Sequence, residues 1–314
     1  MTKYISKRIL MSLLTLFLII FVLFVLIRIV PGNPFPVERM SAEMILQKRA
    51  ELGLDKPILI QFVDYMSLLL SGSFGNGTSL YNGAPIKPIL LACLENSFKI
   101  GLLSILFGTI VGLFLGITAA LHRGKFLDGV CTVVSILGVC IPSYVFMIFL
   151  QYFFSYKISF FPYFFDPSRF LFSAIMPSLS LSLFAIATVA RFTRNEMIEV
   201  MNSDYVKLAE SKGLYGFELM RRHVLRNALI PIVTVIAPLV VDLLTGAMVM
   251  EKIYGINGVG KLMVDAIAGD GIDYNYVLAL GIVFSSLYIG IMLLLDIMYG
   301  IIDPRIRLSA KEAA

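Results

Sequence analysis

Ile9-Leu10-Met11-Ser12-Leu13-Leu14-Thr15-Leu16-Phe17-Leu18-Ile19-Ile20-Phe21-Val22-Leu23-Phe24-Val25-Leu26-Ile27-Arg28-Ile29-Val30 carries no charge before Arg28. A bilayer core takes about 20 such residues as a helix. Lys3, Lys7 and Arg8 precede the run, as in a signal peptide, but the run exceeds the roughly 7–15 residues of a signal core. Val30-Pro31-Gly32-Asn33-Pro34 follows it, with no small-x-small cleavage site. The stretch reads as an uncleaved first span.

Five more stretches qualify: 98–121, 130–154, 171–190, 228–250 and 277–301. Pro142 and Pro177 fall inside the third and fourth and predict kinks. Composition agrees with a membrane solvent. The 314 residues are 58% hydrophobic and 15% charged, with a mean hydropathy of +0.88. A soluble domain has about 45–50% apolar and about 25% charged residues. The fold class read here is all-α integral membrane, with six transmembrane helices.

Lys and Arg set the orientation. Segments 1–8, 122–129, 191–227 and 302–314 hold 15 of them; the much longer set 31–97, 155–170 and 251–276 holds 9. Both termini and 191–227 are therefore expected on the cytoplasmic side of a cell membrane. The net charge of +5 sits between apolar runs, which argues against nucleic acid as a partner. Membrane lipid is the expected surrounding. The chain divides into a tail and first span (1–30), an extracellular segment (31–97), a five-helix core (98–301) and a cytoplasmic tail (302–314). Within 31–97, Ser41 to Leu52 and Pro57 to Leu70 read as amphipathic helices of a small cap. Gly108, Gly112 and Gly116 share one face of the second span. They fit packing within the chain, or an interface to a second membrane subunit.

Little in the sequence suggests chemistry. Gly255-Ile256-Asn257-Gly258-Val259-Gly260-Lys261-Leu262 nearly matches a phosphate-binding loop. Leu262 stands where a magnesium-binding hydroxyl belongs, no strand precedes it, and the loop falls on the outer side. His122 and His223 are far apart, and Cys93, Cys131 and Cys140 read as packing residues. No enzyme activity and no cofactor is expected in the chain itself. Arg28 and Lys99 lie near outer span ends and are expected to snorkel; Asp296 is expected to reach the interface. Asp242 is the deepest ionisable residue. It faces a translocation path or hydrogen-bonds a neighbouring helix.

The segment 191–227 is too long for a mere topology signal. A helix fits Asp204 to Lys212, with Ser203 or Asp204 as N-cap. Gly213 suits the left-handed position that ends it. A second short helix reaches about Arg226 and carries Arg221, Arg222 and His223. The two would form a knob.

Here the chain resembles the membrane permeases of bacterial oligopeptide/dipeptide/nickel ABC importers. Asp204-Tyr205-Val206, Ala209, Lys212-Gly213-Leu214 and Arg222 to Pro231 match that family's form of the coupling motif. Of the general Glu-Ala-Ala only Ala209 is kept. Pro31 to Pro34, Leu52-Gly53-Leu54-Asp55-Lys56-Pro57, Phe74-Gly75, Glu251 to Gly260 and Asp303-Pro304-Arg305-Ile306-Arg307 also resemble family signatures. Within the family the chain looks closest to the oligopeptide permease B-type subunit. The resemblance implies a type I ABC importer permease core and a heterodimer with a homologous second permease. It also implies two cytoplasmic ATPases that bind ATP-Mg, and an extracellular or lipid-anchored substrate-binding protein. Asp204, Tyr205, Ala209, Glu210, Lys212, Gly213 and Arg222 would couple to an ATPase. Dipeptide, or nickel or metallophore, uptake is the alternative within the family. A stand-alone channel or secondary carrier is the alternative outside it.

Overall fold

The computed structural model describes all residues except Met1, 31–32, 35–39, Asn82, Gly246, 269–270 and 303–314. The tail signature at 303–307 therefore lies outside the described residues, and the signature at 31–34 lies partly outside them. The described chain is helical, and its one β feature is an isolated bridge between Asn76 and Pro85. Among the described residues, four helices are long and apolar enough to cross a membrane, or five if one bent pair counts as a single span. The residues group into two compact units, Met1–Asn96 with Asn257–Ala314, and Ser97–Ile256.

In the first unit, α1 (Thr2–Ile29) packs along α13 (Tyr274–Ile302). Ile20 and Phe24 of α1 meet Leu278 and Ile282. Gly281 admits the Leu23 side chain, whose Cδ1 lies 2.9 Å from where a Cβ would stand. Lipid tails are as apolar as leucine, so close contact of this kind holds the helices together, not escape from water. Two short helices follow α1. Ser41 caps α2 (Ala42–Glu51), its Oγ accepting from Met44 N at 3.3 Å. Gly53, at φ +64°, turns the chain after it. Pro57 opens α3 (Ile58–Leu70), which lays Phe62 and Tyr65 against α1. Phe62 meets Phe21 and Phe24 edge-on, at 5.1 and 5.4 Å. Gln61 Nε2 donates to Leu54 O and Lys56 O, at 3.1 and 2.7 Å, fixing the Leu52–Pro57 signature as a tight corner.

Two ionisable side chains near span ends gain partners within the chain. The Arg28 guanidinium lies over the rings of Phe24 and Tyr274, at 4.9 and 5.1 Å. Cation–π contact replaces water there. Asp296 pairs with Arg8 at 2.8 Å, tying the start of α1 to the far end of α13.

α4 (Ile86–Leu121) starts well before the apolar run at 98, because hydropathy marks membrane thickness and not helix length. Its residues from Ser97 onward belong to the second unit. There α5 (Phe126–Cys140) and α6 (Ser143–Leu150) bend by 103° at Ile141-Pro142, the kink that Pro142 predicted. A π-helical turn, Gln151–Lys157, extends α6. α7 (Phe170–Met201) runs unbroken through Pro177 and is the most buried helix of the unit.

The glycine face of α4 is used within the chain. A Cβ on Gly108, Gly112 or Gly116 would stand 2.8, 2.8 and 2.5 Å from the Cβ atoms of Ala185, Val189 and Thr193 on α7. Gly138 brings α5 equally close to Ala187. Cys93 and Cys131 are buried as expected; Cys140 is exposed, at the α5 terminus where the chain bends away.

Candidate functional site

The stretch 191–227 is mostly helix. Its first residues extend α7 to Met201, and its last run into α10 (Arg226–Thr245). Between them α8 (Asp204–Ser211) and α9 (Gly216–Leu219) form the helix pair, and α9 continues through a π-helical turn, Met220–Leu225. Ser203 is the N-cap residue, extended at φ −72°, but its hydroxyl donates to Val200 O and not across the cap. Lys212 closes α8. Gly213 follows at φ +86°, its N–H donating to Glu210 O at 2.9 Å. Leu214 N then returns to Ala209 O at 3.2 Å. These two bonds satisfy the last carbonyls of α8 and swing the chain into α9.

An apolar seat lies beneath the pair. Val206 (1% exposed), Ala209 (6%), Leu219 and Val224 pack with Ala120, Met197 and Ala228. Ala209 is thus a seating residue. The other coupling residues named from sequence face outward: Asp204, Tyr205, Glu210, Lys212, Gly213 and Arg222 are all exposed. Lys207 pairs with Asp204 at 3.2 Å, and Arg222 with Glu218 at 3.2 Å. Both pairs are exposed and contribute little to stability. Sequence reading missed the exposed Leu208, Tyr215 (69%) and Phe217 (80%). These large apolar side chains stand open beside the charged ones. Tyr215 is the N-cap residue of α9 and Phe217 lies in its first turn, where water-facing residues are expected; Leu208 lies within α8 and gives no such signal. Arg221, Arg222, His223 and Arg226 line one open basic concavity. The Asp242 side chain lies outside the described residues, so neither of its two readings is resolved.

The Glu251–Gly260 signature is structural. α11 (Met248–Tyr254) ends at Gly255, at φ +71°. Glu251 is fully buried and accepts from Ser97 Oγ at 2.5 Å. Tyr254 bonds Ser180 Oγ through its hydroxyl (3.0 Å), and its carbonyl accepts from Phe165 N (2.8 Å). In the other unit Lys261 Nζ donates to Asn257 Oδ1 at 2.8 Å as α12 (Val259–Ala268) begins. Among the described residues no strand leads into this loop, as the phosphate-loop geometry would require.

A second anchor was missed altogether. Asp273 is fully buried; its Oδ2 accepts from the backbone N–H of Thr78, Ser79 and Leu80 (2.7, 2.8 and 3.0 Å), and its Oδ1 from Tyr276 N (3.1 Å). One carboxylate caps α13 and pins a turn almost 200 residues away in sequence. Asp273→Ala leaves the Thr78, Ser79 and Leu80 amides without their acceptor; the first is buried and the other two half-buried, so the cost is about 1–3 kcal/mol for Thr78 and less for the others. Hydrogen exchange at Thr78–Leu80 is expected to accelerate at least about tenfold, with little change in α5–α7.

The chain matches, over residues 112–308, the family described as binding-protein-dependent transport system inner membrane component. Residues 1–101 match that family's N-terminal region. The chain belongs to this family. The permease is 35% identical over 308 residues to the dipeptide transport system permease protein DppB of Lactococcus lactis subsp. cremoris, covering 98% of the chain and 100% of the relative. It is 34% identical to the oligopeptide transport system permease protein OppB of Salmonella typhimurium, with the same coverage. In fold the permease is similar to the inward-facing MetNI methionine ABC transporter, at a TM-score of 0.57 and 15% identity, covering 68% of this chain and 96% of that one. An amino acid ABC transporter with histidines gives a TM-score of 0.53 at 16% identity, covering 67% of this chain and 93% of that one.

Proposed function

We propose that this permease is the membrane-spanning subunit of an ATP-driven peptide importer, with oligopeptides as its cargo. The exposed helix–Gly213–helix knob on its apolar seat carries this reading: it is a rigid, outward-facing element with no chemistry of its own. Relatives named for dipeptides and for oligopeptides match over nearly their whole length, and they support the peptide class.

In this reading a homologous second permease completes the pathway. Two ATPases bind ATP-Mg below, and a substrate-binding protein delivers cargo from outside. The Lys/Arg bias puts both termini and the knob on the cytoplasmic side. One ATPase receives the knob in a groove, with Tyr205, Leu208 and Phe217 as apolar contacts and Asp204, Glu210, Lys212 and Arg222 as charged ones. Closure of the ATPases around ATP favours one access state of the permease, and hydrolysis returns the other. No reaction is assigned to this chain.

Deleting the chain from its host is expected to abolish uptake of a labelled pentapeptide while nickel uptake is unchanged. Peptide uptake at the parental rate, or a selective loss of nickel uptake, would overturn the reading.

A further inference from the structure

A cavity of about 330 Å³ lies within the second unit, between α4, α5 and α7. Leu115, Ala119 and Ile136 give it apolar walls, Thr132 sits on the α5 side, and Arg191 and Arg194 lie on the α7 side. Its origin is geometric. The glycine contacts draw α4 onto α7, and Gly138 draws α5 onto α7. Towards the start of α5, the small residues Cys131 and Ser135 stand in the gap and cannot fill it.

The two arginines differ. Arg194 is committed to Asp128, its Nε and Nη2 donating to the two carboxylate oxygens at 2.6 and 2.8 Å. Asp128 also accepts from Gly124 N at 2.9 Å, so that carboxylate is satisfied. Arg191, one turn before Arg194 on α7, is exposed and has no ion-pair partner among the described residues. The site is therefore an apolar slot with one uncompensated guanidinium, in a chain that lies in lipid. An unfilled apolar slot forfeits packing along all its walls, and an exposed cation beside it recruits negative charge.

We propose that the slot binds one anionic glycerophospholipid, with acyl chain against Leu115, Ala119 and Ile136 and head-group phosphate on Arg191. Basic pockets between membrane helices recruit anionic head groups in this way. The inference rests on the chain spanning a membrane, not on which solute it carries.

The test uses the assembled importer purified in mild detergent, with phosphatidylglycerol or phosphatidylcholine of matched chains, and native mass spectrometry. The parent is expected to retain one phosphatidylglycerol in preference to phosphatidylcholine. Arg191→Gln should lower that retention about fivefold. Thr132→Phe should lower it by occupying the slot while leaving Asp128–Arg194 in place. Equal retention by parent and both variants overturns the site, and equal retention of the two lipids by the parent overturns the anionic class. Disulfide capture of Thr132→Cys by the second permease would show that a protein helix fills the slot, and would also overturn it.

Discussion

Gly213→Leu is expected to leave the permease inserted and its ATPases hydrolysing ATP, while uptake falls about tenfold or more. Gly213 sits at φ +86°, and a Cβ there would meet nothing within 4 Å. Steric crowding is therefore absent, and the change acts through the backbone alone. An L-residue in the left-handed region costs about 1–2 kcal/mol. That is enough to shift the angle between α8 and α9 by a tenfold change in population. The apolar seat does not involve residue 213, so the knob stays on the permease but meets the ATPase at the wrong angle. Gly213→Asn is the control, since Asn tolerates this region, and it should transport nearly normally. The measurement is labelled-peptide uptake beside ATP hydrolysis in proteoliposomes. Full transport by Gly213→Leu would remove the coupling role of the turn.

Gly116→Leu is expected to act differently, through assembly. A Cβ at 116 would lie 2.5 Å from Thr193 Cβ and 2.6 Å from the Ala190 carbonyl oxygen. One of these is backbone and neither is the end of a flexible chain, so α4 and α7 must separate. Overpacking of this kind costs about 1–3 kcal/mol even for small insertions, and more here. Even Gly116→Ala should lower the thermal midpoint in detergent clearly, and Gly116→Leu should prevent accumulation. Gly290 meets nothing within 4 Å, and Gly290→Ala should be neutral. A Gly116→Leu chain with parental abundance and midpoint would mean that this close α4–α7 contact is wrong.

These two glycines show what the sequence could and could not tell. Gly213 was legible because its neighbours define it: an N-cap, eight helical residues, the closing Lys212, then a glycine. Gly108, Gly112 and Gly116 were legible as a face but not as a partner. Spacing says that something packs closely there; only the position of Ala185, Val189 and Thr193 says what. The spans were readable from hydropathy, their ends were not. α4 has 36 residues, at about 1.5 Å each far more than the roughly 30 Å hydrocarbon core. Its extra turns carry Lys87, Glu95 and Asn96, which a hydropathy reading assigns to a loop. Pro142 announced a break, but its 103° needed the structure. Asp273 was hidden for a simpler reason. An Asp before an apolar run reads as an ordinary helix cap, and nothing local points to the amides at 78–80.

The central claim is that this permease moves peptide only when ATPases drive it. The direct test is uptake of a labelled oligopeptide into proteoliposomes that contain this chain, its second permease and the binding protein, with and without the ATPases. The account predicts uptake that needs both ATPases and ATP. Uptake of the same peptide by this chain alone, at a comparable rate and without ATP, would contradict it.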